Sequence, residues 1–252
     1  MKVKTKRGAI MKDRENPRSE IKELLAGGDL EKLLDKAAEI HGHYCSHVAL
    51  GVRATCTAFR ELGIIESTGM EEILAIVECN NCFVDGIQAI SGCTLGNNAL
   101  IYKDLGKTAV TFIKRNGNKA VRLVAKYDPE NMKKDPEAEE AFALFDRAVK
   151  KRERLEPRER ERMMRLWTKM SFDILKRPES EIFDIKVVNP EKMEYAPIFD
   201  SVKCESCGED VMETRARTKG SKSVCVTCAG DDYWIVAGRG IHPAAKRIIS
   251  EA

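Results

Sequence analysis

The sequence predicts an α+β fold, helices packed on a small, mostly antiparallel sheet, followed by a C-terminal four-cysteine zinc module. Three observations lead there. Helical apolar spacing fills residues 19–62 and returns beyond 128, and between them lie short β-rich runs separated by turn signals. Two Cys-x-x-Cys pairs then stand near the end of the chain. The expected division is a core domain over 1–127, a helical extension and linker over 128–198, and a four-cysteine module over 199–252.

Ser19 can cap a short helix that Gly27-Gly28 break. Asp29 can cap a second, with Leu30, Leu33, Leu34, Ala37 and Ile40 at helical spacing, and this helix delivers the chain to His41. Gly42 makes continuous helix through His41-Gly42-His43-Tyr44-Cys45-Ser46-His47 doubtful, so a turn is expected to open the next helix. That helix carries Val48, Leu50, Val52, Cys56, Phe59 and Leu62 and closes on Gly63. The run 73–77 is continuous and apolar, as in a buried strand. Cys79-Asn80-Asn81-Cys82 forms a turn into a helix from Phe83 to Ile90, and residues 91–98 form a glycine-containing loop able to bring backbone amides near a ligand. Residues 100–102, 109–114 and 120–126 read as strands, with Asn116-Gly117 as a hairpin signal. Beyond Asp128 come a helix with Phe142, Phe145 and Val149 on one face and another, opened by Pro157, with Met163, Leu166 and Met170. Residues 183–188 can form a further strand, and Pro190 and Pro197 bound a linker.

Composition narrows the function classes. Hydrophobic residues at 43% and charged residues at 33% are ordinary for a folded globular protein. Forty-three basic against 40 acidic side chains, a net of +3, do not by themselves argue for nucleic acid. The charged run 150–165 mixes both signs and reads as a solvated helix face. No signal-peptide core and no apolar run of membrane-spanning length is visible, so a cytoplasmic location without membrane contact is expected. Nine cysteines, an odd number, argue for thiols and metal sites over a disulfide framework.

Those cysteines fall in two groups. Cys204-x-x-Cys207 and Cys225-x-x-Cys228 have the spacing of a structural zinc site, each pair wrapping one side of a tetrahedral ion. Arg215, Arg217, Lys219 and Lys222 between them permit nucleic-acid contact, but without interleaved aromatic residues the signal is weak. In the first group, His41, His43 and His47 surround Cys45, and Cys82 and Cys93 follow. Cys45 and Cys82 both stand at expected helix N-termini, where partial positive charge favours thiolate. The sharper reading is an open metal site built from His41 or His43, Cys45, Cys82 and Cys93, holding a transition metal, zinc by preference, with one position left for substrate. Cys82 and Asp85 are the candidate catalytic residues, Asp85 either orienting a ligand histidine or acting as a base. The plainer reading makes Cys56 and Cys93 small core residues and the histidine run a hydrogen-bonded turn.

His41-Gly42-His43-x-Cys45, Gly51, Arg53, Cys82-x-x-Asp85-x-x-Gln88, Ser91-Gly92-Cys93-Thr94-Leu95-Gly96 and Asn98-x-Leu100, in that order, resemble the FmdE family, named for a component of formylmethanofuran dehydrogenase. The C-terminal cysteines resemble the treble-clef zinc finger of some members. The resemblance implies an α+β core that tends to form homodimers, a cleft bearing these His, Cys and Asp residues, and an association with molybdenum or tungsten one-carbon chemistry, through a small-molecule or metalloenzyme partner. Two other classes compete: a binding or metal-delivery protein whose zinc module docks nucleic acid or protein, and a thiol redox protein working through Cys79 and Cys82.

Overall fold

The computed structural model describes residues 16–126 and 135–244; the basic N-terminal stretch and the start of the charged region after 126 lie outside the described residues. The described chain forms two compact units, dividing between Lys192 and Met193.

The first unit opens with α1 (Ser19–Gly27) and α2 (Leu30–His41). Asp29 caps α2, its carboxylate accepting from the Lys32 N–H at 3.1 Å. The central helix α3 (Ser46–Leu62) is buried along most of its length and ends where Gly63 takes a left-handed φ of 61°. The strand β1 (Ile73–Val77) is buried at all five residues, which is why its sequence is apolar without alternation. After it come α4 (Phe83–Ser91), β2 (Leu100–Tyr102), β3 (Ala109–Lys114) and β4 (Ala120–Ala125). Asn116 has a positive φ of 65°, but the register pairs Ile113 with Ala120, so Asn116-Gly117 sits in a loop longer than a two-residue turn.

The helical stretch after 134 folds back onto this core instead of extending from it. Helix α5 (Pro136–Phe145) runs into a π-helical turn at Asp146–Lys150, and α6 (Pro157–Lys176) returns against it, opened by a capping box of Glu156 and Glu159. A short helix α7 (Glu179–Ile182) leads into β5 (Phe183–Val188), which pairs antiparallel with β4 along its whole length. The sheet order is therefore β2-β1-β3-β4-β5, antiparallel except for the parallel pair β1 and β2. Buried Arg53 on α3 fastens the end of α6, donating to the carbonyls of Leu175 and Arg177. Thr57 and Arg60 both donate to Glu179, at 2.7 and 2.9 Å. Phe59 meets Phe112 edge to face at 5.8 Å, joining α3 to β3.

The second unit holds three two-stranded ribbons: β6 (Ser201–Lys203) with β7 (Asp210–Met212), β8 (Ala216–Lys219) with β9 (Lys222–Cys225), and β10 (Trp234–Ala237) with β11 (Gly240–Pro243). A one-turn helix α8 (Val226–Ala229) follows β9. Among the described residues no helix is long and apolar enough to cross a membrane.

Candidate metal centres

The site in the first unit is built where three helix ends meet. The apolar face of α2 (Leu33, Leu34, Ala37) is buried and fixes its C-terminus, so His41 is held as the last helical residue. Gly42 stops the helix there, with a left-handed φ of 88° and its N–H bonded to the Ala38 carbonyl. The chain then turns to Cys45, the N-cap of α3, in extended conformation. Cys82 is the N-cap of α4. Helices α3 and α4 touch through two glycines: a Cβ on Gly51 would overlap the Phe83 carbonyl oxygen and stand 3.0 Å from the Gly86 Cα, and one on Gly86 would overlap the Val48 carbonyl. With no side chain between them, the two helix N-termini, and so the two sulfurs, come together.

His41, Cys45 and Cys82 each offer one ligand atom, and these atoms lie within 4.8 Å of one another. The Cys82 thiol donates to Cys45, and that bond, with the His47 side chain and the N–H groups of His47 and Val48 adding to it against the opposing effect of burial, holds the Cys45 thiol down to about 3. The same pairing pushes Cys82 up. Cys45 is the more acidic of the two, and a metal bound between them would take both as thiolates. His41 gives its Nδ1–H to Asp85 Oδ2 at 2.7 Å, and Gln88 Nε2 reaches the other carboxylate oxygen at 3.5 Å. The opposite ring nitrogen, Nε2, is buried without a hydrogen-bond partner. A histidine grouped with two cysteines, one ring nitrogen anchored by a carboxylate and the other buried and unpartnered, is the arrangement of a metal-ligating histidine. The donor set, two thiolates and one imidazole, fits zinc with one position open.

The other expected site residues fall elsewhere. Cys93 is 1% exposed and donates to the Ile73 carbonyl at 3.4 Å, so this cysteine belongs to the wall between its loop and β1 and is not brought to the ligand group. His43 is exposed and leans on the His41 ring, centroids 4.4 Å apart, without joining the three ligand atoms. Asp85 occupies the orienting place, its carboxylate taken up by His41 and Gln88. Cys79 turns its thiol to Asn81 Oδ1 at 3.5 Å while Cys82 faces Cys45, both as free thiols. The loop 92–99 does not offer its amides outward: Asn97 closes it, accepting from the N–H groups of Thr94 and Ala99 and donating to the Gly92 carbonyl at 2.7 Å.

A cavity of about 380 Å³ opens from the ligand group. His43, Cys45, His47, Asn81 and Cys82 form one end. The other walls are apolar: Phe142, Phe145 and Val149 from α5 and its π-helical turn, Met163, Met164 and Trp167 from α6. Trp167 is gripped edge-on by both phenylalanines, at 5.4 and 5.6 Å. The sequence displays these side chains as two amphipathic faces; that the faces close over the histidine run was the missed step, since helical periodicity does not say which surface a helix covers.

In the second unit, Cys204, Cys207, Cys225 and Cys228 bring their sulfurs within 4.8 Å of one another. The turn after β6 supplies the first pair, the junction of β9 and α8 the second. The N–H groups of Cys207 and Cys225 point at Cys204 and hold its thiol down to about 6, ready to ligate. Arg217 and Lys219 are engaged locally, with Asp231 and the Cys228 carbonyl.

Comparison with known proteins finds a counterpart for each unit. Residues 40–184 match the family model described as "FmdE, Molybdenum formylmethanofuran dehydrogenase operon", and residues 197–233 match the prokaryotic dksA/traR C4-type zinc finger. A curated protein of Archaeoglobus fulgidus, described as a probable S-adenosyl-L-methionine-binding protein, is 44% identical over 216 residues, 84% of this chain and 56% of the relative. The chain thus spans just over half the length of that relative. A crystal structure of a tungsten formylmethanofuran dehydrogenase FmdE-like protein from Syntrophus aciditrophicus has a similar fold, with a TM-score of 0.52 at 22% identity over 80% of this chain and 92% of that one.

Proposed function

The chain belongs to the FmdE family and carries a C4-type zinc finger, and from that premise we propose that it is a metalloprotein with a second, open metal centre on His41, Cys45 and Cys82, acting as an enzyme or accessory factor in one-carbon or molybdenum/tungsten metabolism. The observation that carries this reading is the buried, unpartnered Nε2 of His41, a residue grouped with Cys45 and Cys82, while Asp85 anchors Nδ1.

A zinc ion bound there would supply Lewis acidity toward a carbonyl or hydroxyl oxygen. The protein's own residues do the rest. Asp85 keeps the proton on His41 Nδ1 and so leaves the Nε2 lone pair free to ligate. Cys45 and Cys82 supply two negative charges from fixed positions at adjoining helix starts. The aromatic and methionine walls give the open side an apolar surface. The C-terminal zinc is structural, since four cysteines leave no position free.

Metal analysis of protein purified without added metal tests the reading. Two metals per chain are expected for the wild type, and one for a Cys82→Ser, His41→Ala double variant. Asp85→Asn should retain the core metal but with affinity lowered roughly 10–100-fold. A single metal in the wild type, unchanged in the double variant, would remove the core centre from the account.

A further inference from the structure

The cavity over the core centre also constrains what enters it. Resting on the metal reading above, we infer that this site takes a small molecule that presents a single donor atom to the His41, Cys45 and Cys82 centre and an uncharged, apolar body to the remaining walls. Charge decides first. A divalent ion with two thiolates and a neutral imidazole has no net charge, so beyond its one open position the centre does not draw a second, anionic group of the guest. Among the described residues lining the cavity there is no lysine, arginine, aspartate or glutamate, and its other polar groups, His43, Tyr44, His47 and Asn81, all come from the two stretches that carry Cys45 and Cys82. A carboxylate or phosphate pushed against Phe142, Phe145 and Trp167 would lose its hydration and gain no partner, so the guest carries no anionic group at that end.

Shape decides second. At about 380 Å³ the cavity has the size of a small-molecule site and is too small for a dinucleotide-sized ligand to be enclosed. Its polar groups are confined to the end that carries the ligand atoms, and the remaining wall is aromatic, aliphatic and thioether. That polarity gradient orients an elongated guest one way, donor toward the sulfurs and hydrocarbon toward Trp167. Met163 and Met164, unbranched and polarizable, let the wall adjust to guests of differing outline.

The test uses the full chain loaded with Co²⁺, whose visible spectrum responds to a new ligand at an open centre. Two thiols with different tails serve as probes, 2-phenylethanethiol and 3-mercaptopropionate, with S-adenosylmethionine, the compound named for the archaeal relative, as a doubly functional charged competitor. The phenyl thiol should perturb the Co²⁺ spectrum and quench Trp167 fluorescence at concentrations roughly tenfold lower than the carboxylate thiol. Val149→Arg, which places a cation on the half-exposed rim, should shrink or reverse that preference. Equal affinity for the two thiols, or tighter binding of the carboxylate thiol or of S-adenosylmethionine, would overturn the inference and leave the metal centre standing. Failure of the core site to take up Co²⁺ would overturn both.

Discussion

Removing zinc with a chelator unfolds residues 201–243 and leaves the helices and five-stranded sheet of the first unit folded. The second unit has almost no core: among its described residues only Cys204, Val224 and Gly240 are buried. Its regular structure consists of three two-stranded ribbons and short helical turns, none of which is stable alone in water. What holds it is the ion on Cys204, Cys207, Cys225 and Cys228, and in small zinc modules metal binding of about 10–16 kcal/mol is the folding free energy. The first unit has a different foundation, a continuous apolar core through α3, α4 and β1. Hydrogen exchange reads both at once. Protection should vanish over β6 to β11 on chelation, and equally in Cys204→Ser, while β1, β3 and α3 keep theirs. Retained protection in the ribbons without metal would show that packing, not zinc, folds this unit.

Gly51→Ala and Gly86→Ala should each destabilise the first unit by about 3 kcal/mol or more, a fall in Tm of about 6–12 °C. The added methyl has nowhere to go. On Gly51 it meets the backbone of Phe83, Gly86 and Ile87, and on Gly86 it meets Val48 and stands 2.9 Å from the Val52 nitrogen. Backbone cannot rotate aside as a long side chain can, so α3 and α4 must separate. The functional consequence is specific: separation parts Cys45 from Cys82, and core metal content should fall in any fraction that remains folded, while zinc in the C-terminal module is unaffected. Gly63→Ala provides the contrast. Its Cβ would meet no neighbour, so its cost comes from the positive φ alone and the sulfurs stay together. Thermal melts with parallel metal analysis separate the two effects.

The elements of the fold were legible where a local signal specifies them. Asp29, Gly63 and the apolar run 73–77 mark a cap, a stop and a buried strand without reference to anything distant. The same holds for Cys45 and Cys82 at helix starts, because the turn preceding each helix is written in adjacent residues. What the sequence left open is long-range. Gly51 and Gly86 read as ordinary helical glycines until the helices are seen to cross at them. Cys93 carries the same chemistry as Cys82, and only the placement of its loop against Ile73 separates a wall residue from a ligand. The helices over 136–176 look like a charged extension because their solvent faces are rich in arginine and glutamate. Their few aromatic and methionine residues, facing inward, make the roof of the site. The strand 183–188 likewise gives no hint of its partner, and its pairing with β4 is what joins that stretch to the core.

The central claim is that a second metal sits on one imidazole and two thiolates in the first unit. ¹¹³Cd NMR of the full chain, exchanged with ¹¹³Cd²⁺ and labelled with ¹⁵N-histidine, examines it most directly, because cadmium shifts report the number of sulfur ligands. Two resonances are expected: one with the shift of a four-thiolate site, and one of a two-thiolate, nitrogen-containing site, coupled to the Nε2 of His41 and absent in His41→Ala. A single four-thiolate resonance, with no cadmium bound to histidine, would contradict the claim.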